Sequence, residues 1–287
     1  MKTESGLLSK AALLDLAARR RVDAFPPGDW ESQFRGAGYE FWGLREMAPT
    51  DAFRDIDWKA TARSGRHYVR EYLADSPFSL MILYDVSGSM AFGRKELLQA
   101  NIAAALAWSA AASGNRCGLI LFADAVVEYL PPRPGTAHLH RIVSTVAAAL
   151  PLAGRKAVLD GAFARLTGEM NHSLAFILSD FTAPFESRFS FRRMPGRPVG
   201  HEVVALRVLE ACEKALPEGS SGLAALHDLE TGERAVLDLG KWRTYNERAA
   251  AHHRELTLRL ADAGIRVTRI TPEDDYIRKI QDLMKTG

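Results

Sequence analysis

Apolar positions along the chain follow two different periods, and the switch between them outlines the fold. In Leu7-Leu8…Ala11-Ala12-Leu13-Leu14…Leu16-Ala17-Ala18 they recur every three to four residues and run into Arg19-Arg20-Arg21, cations suited to a helix C-terminus. One amphipathic helix therefore opens the chain. From Phe25 to about Ser76 the pattern lapses into Gly, Pro, aromatic and charged residues, which predicts extended segments and turns wrapped on a partner surface. After Pro77 the run Phe78-Ser-Leu-Met-Ile-Leu-Tyr84 is short and continuous, as in a strand buried on both faces. Cys117–Phe122, Leu174–Leu178, Glu202–Leu209 and Ile265–Ile270 predict further strands, with Val126–Leu130 as a hairpin or edge partner. Helical spacing over 95–113, 138–150, 159–170, 246–263 and 273–284 separates them, and Leu223–Asp228 with Arg234–Leu239 reads as a hairpin about Glu230-Thr-Gly-Glu233. The expected architecture is α/β: a doubly wound, mostly parallel sheet over 77–287 with an inserted β-hairpin, preceded by a helix and irregular extension over 1–76 that packs on it.

Composition narrows the partners more than the fold. A chain of 287 residues can bury a full core without staples, and 37 basic against 35 acidic side chains leave a net charge of +2. That balance argues against commitment to nucleic acid or an anionic membrane. The longest uncharged stretch, Leu97 to Asn115, is alanine-rich and carries Gln99, Asn101, Ser109 and Ser113, so it reads as a buried helix rather than a membrane span. No secretory leader is visible, and two cysteines, Cys117 and Cys212, read as buried thiols of a reducing compartment. The expected location is cytoplasmic.

Doubly wound sheets bind ligands beyond the carboxyl ends of their strands, where the strand order reverses. The first such loop reads Asp85-Val86-Ser87-Gly88-Ser89-Met90, a carboxylate and two hydroxyls at alternate positions, with Gly88 letting the chain curl. Few protein oxygens around an octahedron that keeps several waters is what magnesium takes. Asp180, closing Leu174-Ala-Phe-Ile-Leu-Ser-Asp, would reach the same rim from a neighbouring strand.

Asp-x-Ser-x-Ser after a first buried strand resembles the metal-ion-dependent adhesion site of von Willebrand factor A domains. A wider set of strings, Arg54-Asp-Ile-Asp-Trp-Lys-Ala-Thr-Ala-Arg63 above all, with Gly118-Leu-Ile-Leu-Phe122, Ser179-Asp-Phe181 and Asp228-Leu-Glu-Thr-Gly232, resembles the bacterial "domain of unknown function 58" family from Gly36 to Gly232. The resemblance implies an A-domain-like fold, a magnesium ion (or manganese or calcium), and a MoxR-type AAA+ ATPase as partner; many members carry transmembrane helices. In A domains a threonine from a middle loop adds a ligand, and that position falls here on Ala157. The resemblance thus implies a reduced metal set of Asp85, Ser87, Ser89 and Asp180, with Asp160 either compensating or serving its helix.

Other readings compete. Ser87 and Ser89 suit the capping of a following helix. Arg54, Asp57, Lys59, Arg63, Arg70 and Glu71 read as internal ion pairs, with Trp42 and Trp58 as anchors beneath them, and Arg188, Arg192, Arg193 and Arg197 as a solvated basic loop. No histidine spacing suits zinc, and no phosphate loop, dinucleotide fingerprint or nucleophile elbow is present. An aspartyl phosphatase would want a second acid where Ser87 stands. The leading expectation is a metal-dependent protein–protein interaction module, an adaptor rather than an enzyme, whose partner offers an acidic side chain. A small-molecule hydrolase or phosphatase and a metal-free scaffold are the alternatives.

Overall fold

The computed structural model describes residues 10–18, 40–48, 56–73, 79–169, 173–183, 185, 188–192 and 201–285. In chain order the elements are α1 (10–18), β1 (Glu40–Glu46), α2 (Trp58–Ser64), β2 (Tyr68–Leu73), β3 (Ser79–Asp85), α3 (Lys95–Ala112), β4 (Arg116–Phe122), β5 (Val126–Arg133), α4 (Thr136–Ala148), α5 (Leu159–Thr167), β6 (Ser173–Ser179), β7 (Glu202–Val208), α6 (Ala211–Lys214), β8 (Leu223–His227), β9 (Arg234–Asp238), α7 (Trp242–Asp262), β10 (Arg266–Ile270) and α8 (Tyr276–Lys285). Contacts divide the chain into two units, Gly28–Pro77 and the remainder, so the opening helix groups with the α/β body.

Within Gly28–Pro77 the segment expected to be irregular contains an antiparallel pair, β1 with β2, and the short helix α2. Asp57 starts that helix by accepting from the backbone N–H groups of Lys59 and Ala60, and Gly65 at φ 72° closes it. Asp57 is thus a cap before it is an ion-pair member. Trp58 is 62% exposed and meets His67 edge to face, so it is no buried anchor. Arg54 lies outside the described residues, as do the side chains of Trp42, Arg70 and Glu71 and the whole of Arg193 and Arg197.

The larger unit is built on six strands in the order β10-β7-β6-β3-β4-β5, parallel throughout except for β5, which runs antiparallel to β4. Strands β3, β4 and β6 are buried along nearly their whole length, which explains their continuous apolar runs. One face carries Met81, Leu83, Ile120, Phe122 and Ile177 under Phe163 of α5 and Leu256 and Leu260 of α7. Alanine-rich α3 is buried on most of its surface, small side chains permitting close approach to the sheet. Each large apolar side chain taken fully from water here contributes about 1.5–3 kcal/mol. Strand β5 ends the sheet on its side with Pro131 and Pro132, residues without a backbone donor. Strands β8 and β9 form the separate hairpin.

Two expectations are corrected. Cys212 is exposed, because it sits on the outer turn of the short helix α6; Cys117 is buried, and both thiols are free. Helix α7 begins at Trp242 rather than Asn246, after Asp238 turns the chain by accepting from Gly240 N–H.

Candidate functional site

The strand order reverses between β3 and β6: β4 lies on one side of this pair and β7 on the other. Past Tyr84 and Leu178 the two strands cease to pair. The gap is filled by Gln99 of α3, whose amide donates to the carbonyls of Asp85 and Leu178 at 3.0 Å each, satisfying acceptors that the ladder leaves open. Asp85 and Asp180 both stand at this divergence, each fully buried.

The structure brings together three of the four sequence-derived ligands and holds the fourth aside. Asp85 Oδ1 accepts from Ser87 N–H at 2.7 Å and Oδ2 from the Ser179 hydroxyl at 2.5 Å. Ser87 is buried, and its Oγ lies 3.2 Å from Ser89 Oγ. Neither serine makes a side-chain capping bond to the short 3-10 turn Gly88–Ala91 or to α3, so capping does not explain the pair. Asp180 Oδ2 instead accepts from Lys95 Nζ at 2.7 Å, and Lys95, only 1% exposed, also donates to Glu213 at 2.9 Å. Asp180 Oδ1 faces the Thr182 hydroxyl at 3.3 Å, and that hydroxyl is 3.3 Å from Glu230.

Burial pushes the Asp85 carboxyl up to about 7, and the Asp180 charge adds to the effect against the hydrogen bonds of Ser179 and Ser87. Burial likewise raises Glu230, opposed by the Ser89 hydroxyl and reinforced by Asp180. Burial by itself would lower the Lys95 ammonium, but Asp180 and Glu213 together outweigh it and raise it. The rim therefore sets the Asp85 and Glu230 carboxylates within reach of the Asp180 charge, and Asp180 alone of the three holds the Lys95 ammonium.

Two backbone features hold this arrangement. A Cβ on Gly88 would stand 2.3 Å from the Leu229 carbonyl, so only glycine lets the hairpin loop approach; Gly154 N–H donates to that same carbonyl at 3.0 Å. Asp228 shapes the loop by accepting from Glu230 and Thr231 N–H, which brings Glu230 to the rim. Phe181 takes φ 51°, an uncommon conformation for a bulky side chain that costs about 1–3 kcal/mol. The bend it makes turns Thr182 back on Asp180 and lets Arg207 Nε donate to the Asp180 carbonyl at 2.9 Å.

Ala157 is partly buried against the core, so its position adds no ligand. Asp160 sits in the first turn of α5, where a carboxylate complements the helix dipole. Among the described residues no group of three or more His, Cys, Asp or Glu side chains stands at metal-holding spacing. A cation here would rest on hydroxyls and one or two carboxylates, a donor set suited to a hard ion that keeps water. Sequence reasoning missed Lys95, Ser179, Thr182, Glu213 and Arg207. Ser179 and Glu230 stood inside quoted strings, whereas no local signal marked Lys95.

A family model described as "Protein of unknown function DUF58" matches residues 43–256. The chain belongs to this family. Among similar proteins, the uncharacterized protein Rv1480 of Mycobacterium tuberculosis is 28% identical over 277 residues, covering 93% of this chain and 85% of the relative. The uncharacterized protein Mb1516 of Mycobacterium bovis matches to the same extent. Solved structures with some likeness include the conserved hypothetical protein BatB from Bacteroides thetaiotaomicron (14% identity, TM-score 0.42, 73% of this chain and 100% of that one). An aerotolerance-related membrane protein from Bacteroides fragilis gives 16% identity and TM-score 0.43 over the same shares. No described helix of the present chain is long and apolar enough to cross a membrane.

Proposed function

We propose that this DUF58 chain is a protein–protein interaction module with a von Willebrand A-like body, docking through the rim where β3 and β6 diverge. The carrying observation is the convergence of buried Asp85 with the Ser87 and Ser89 hydroxyls at the switch point of a doubly wound sheet. Asp85, Ser87 and Ser89 would hold a magnesium, manganese or calcium ion, with Asp180 contributing through the oxygen that Lys95 leaves free. When bound, the ion supplies an open position for a partner's carboxylate. The protein's own part is to hold those oxygens fixed: Ser179 and Ser87 N–H orient Asp85, Gly88 admits the hairpin loop, and Thr182 aligns Asp180. The reading is one of binding rather than catalysis, since Ser87 stands where an aspartyl phosphatase would need an acid. The family resemblance supports a MoxR-type AAA+ ATPase as the partner, with this chain as its adaptor, and the free cysteines support a cytoplasmic setting.

A metal-free scaffold is the second reading, and the Lys95–Asp180 ion pair favours it by supplying a cation from inside the chain. Calorimetric titration of the full chain with manganese or magnesium separates the two. One bound ion, lost in Asp85→Ala, upholds the metal-dependent module; no heat in the wild type, together with ATPase capture that persists in chelator, overturns it in favour of the scaffold.

A further inference from the structure

Beside the rim, β7 and β10 end at a cavity of about 330 Å³ whose walls include Arg207, Arg269, Arg248, Lys214, Glu213 and Tyr245. Arg207 and Arg269 occupy paired positions on neighbouring parallel strands, so their side chains leave the same face of the sheet. Like charges set side by side in this way repel, and the arrangement persists only where something offsets it. Arg207 is 7% exposed; its Nε is spent on the Asp180 carbonyl, and its terminal amino groups find no acceptor among the described residues. Burial lowers the Arg207 guanidinium below its ordinary range, against the pull of Asp180, and the Arg269 charge lowers it further.

The wall's acid offsets these charges only in part: Glu213 attracts Arg207 but is one carboxylate facing four cations, and it is shared with Lys95. Glu213 Oε1 accepts from Lys95 and Oε2 accepts from Glu210 N–H, so both its oxygens are engaged elsewhere. Among the described residues, Arg207, Arg269, Arg248 and Lys214 form no ion pair. Three guanidiniums offer forked N–H donors that match the oxygens of a tetrahedral oxyanion, and four positive charges call for a ligand carrying more than one negative charge. A carboxylate fits one fork but brings a single negative charge and two oxygens, fewer than three forks can engage. The cavity lies in the size range of small-ligand sites.

We propose that this cavity binds a small phosphoryl anion of the pyrophosphate class, held by Arg207 and Arg269 from the sheet and by Arg248 and Lys214 from the rim of the opening. The cavity shares no lining residue with the set Asp85, Ser87, Ser89 and Asp180.

The test is calorimetric titration of the full chain with inorganic pyrophosphate, at physiological salt and with chelator present. Saturable binding of one anion per chain is expected, weakened at least tenfold by Arg269→Gln and several-fold by Arg248→Ala. Arg248 is exposed on α7, so that variant folds whatever Arg269→Gln does. Arg234→Gln, on exposed β9 of the hairpin, changes net charge equally and is expected to leave affinity unchanged. Absence of saturation at millimolar pyrophosphate, or equal weakening by Arg234→Gln, overturns the proposal.

Discussion

Two neighbouring regions of one sheet treat charge in opposite ways. At the divergence of β3 and β6, carboxylates outnumber cations, yet each is given hydrogen bonds from within the chain: Ser179 and Ser87 on Asp85, Lys95 and Thr182 on Asp180. One strand further on, where β7 and β10 end, cations outnumber acids and Arg207, although buried, keeps its terminal amino groups unengaged among the described residues. The first region meets its charges with donors from within the chain, and the second meets only part of its own, through Asp180 and Glu213. Lys95 and Glu213 form the border between them, the ammonium facing Asp180 on one side while Glu213 lines the cavity on the other.

Removing that border has the largest expected effect. Lys95→Met leaves Asp180 buried without its cation and is expected to cost about 3–5 kcal/mol, read as a fall in Tm. Asp180→Asn added to it should restore a good part of the loss. If the double variant is no more stable than Lys95→Met, the two residues do not act as a pair.

Gly88→Ala comes next, at about 1–3 kcal/mol, because the new methyl must displace the Leu229 carbonyl or its loop. Thermal melting together with metal titration checks this, since a displaced loop also withdraws Glu230.

Asp85→Asn runs the other way. The amide can still accept from Ser87 N–H and donate to Ser179, while removing a charge that burial disfavours. In chelator at pH 8 the variant is expected to be about 1–2 kcal/mol more stable than the wild type, on the scale seen when buried charge is relieved. A less stable variant would mean that the carboxylate's hydrogen bonds outweigh its desolvation.

The smallest effect concerns pH. Burial, with the Arg269, Arg207 and His252 charges, pulls His253 down to about 4 from an ordinary 6.5. The folded chain then takes up a proton less readily than the unfolded one, so this stability is full above the unfolded value and is lost as pH falls toward 4. His253→Gln should flatten part of the decline in Tm across that window, His201 keeping a share of the same sign. An unchanged slope would place the acid sensitivity elsewhere.

How far the sequence reveals these regions follows from the range of the forces involved. Strands such as Ser79–Asp85 and Ser173–Ser179 are legible because burial on both faces demands an unbroken apolar run, and the rim follows from where such runs end. Asp85, Ser87 and Ser89 lie within one loop and could be read together. Lys95 meets Asp180 across 85 positions and Glu213 across 118, and no local pattern carries that information. Arg207 was hidden for a further reason: inside Glu202-Val-Val-Ala-Leu-Arg-Val it looks like an interruption of an apolar strand, and its meaning depends on Arg269 in the register beside it. The pair β1 and β2 escaped because charged side chains obscure any alternation there.

The prolines that end the sheet at β5 have a bearing on assembly. A strand laid against that margin would find Pro131 and Pro132 without N–H groups to offer, so growth of the sheet from one molecule into the next is blocked on this side. On this margin other chains must then be met by side chains and loops rather than by shared backbone pairing. Contacts of that kind can be made and released without unfolding either party.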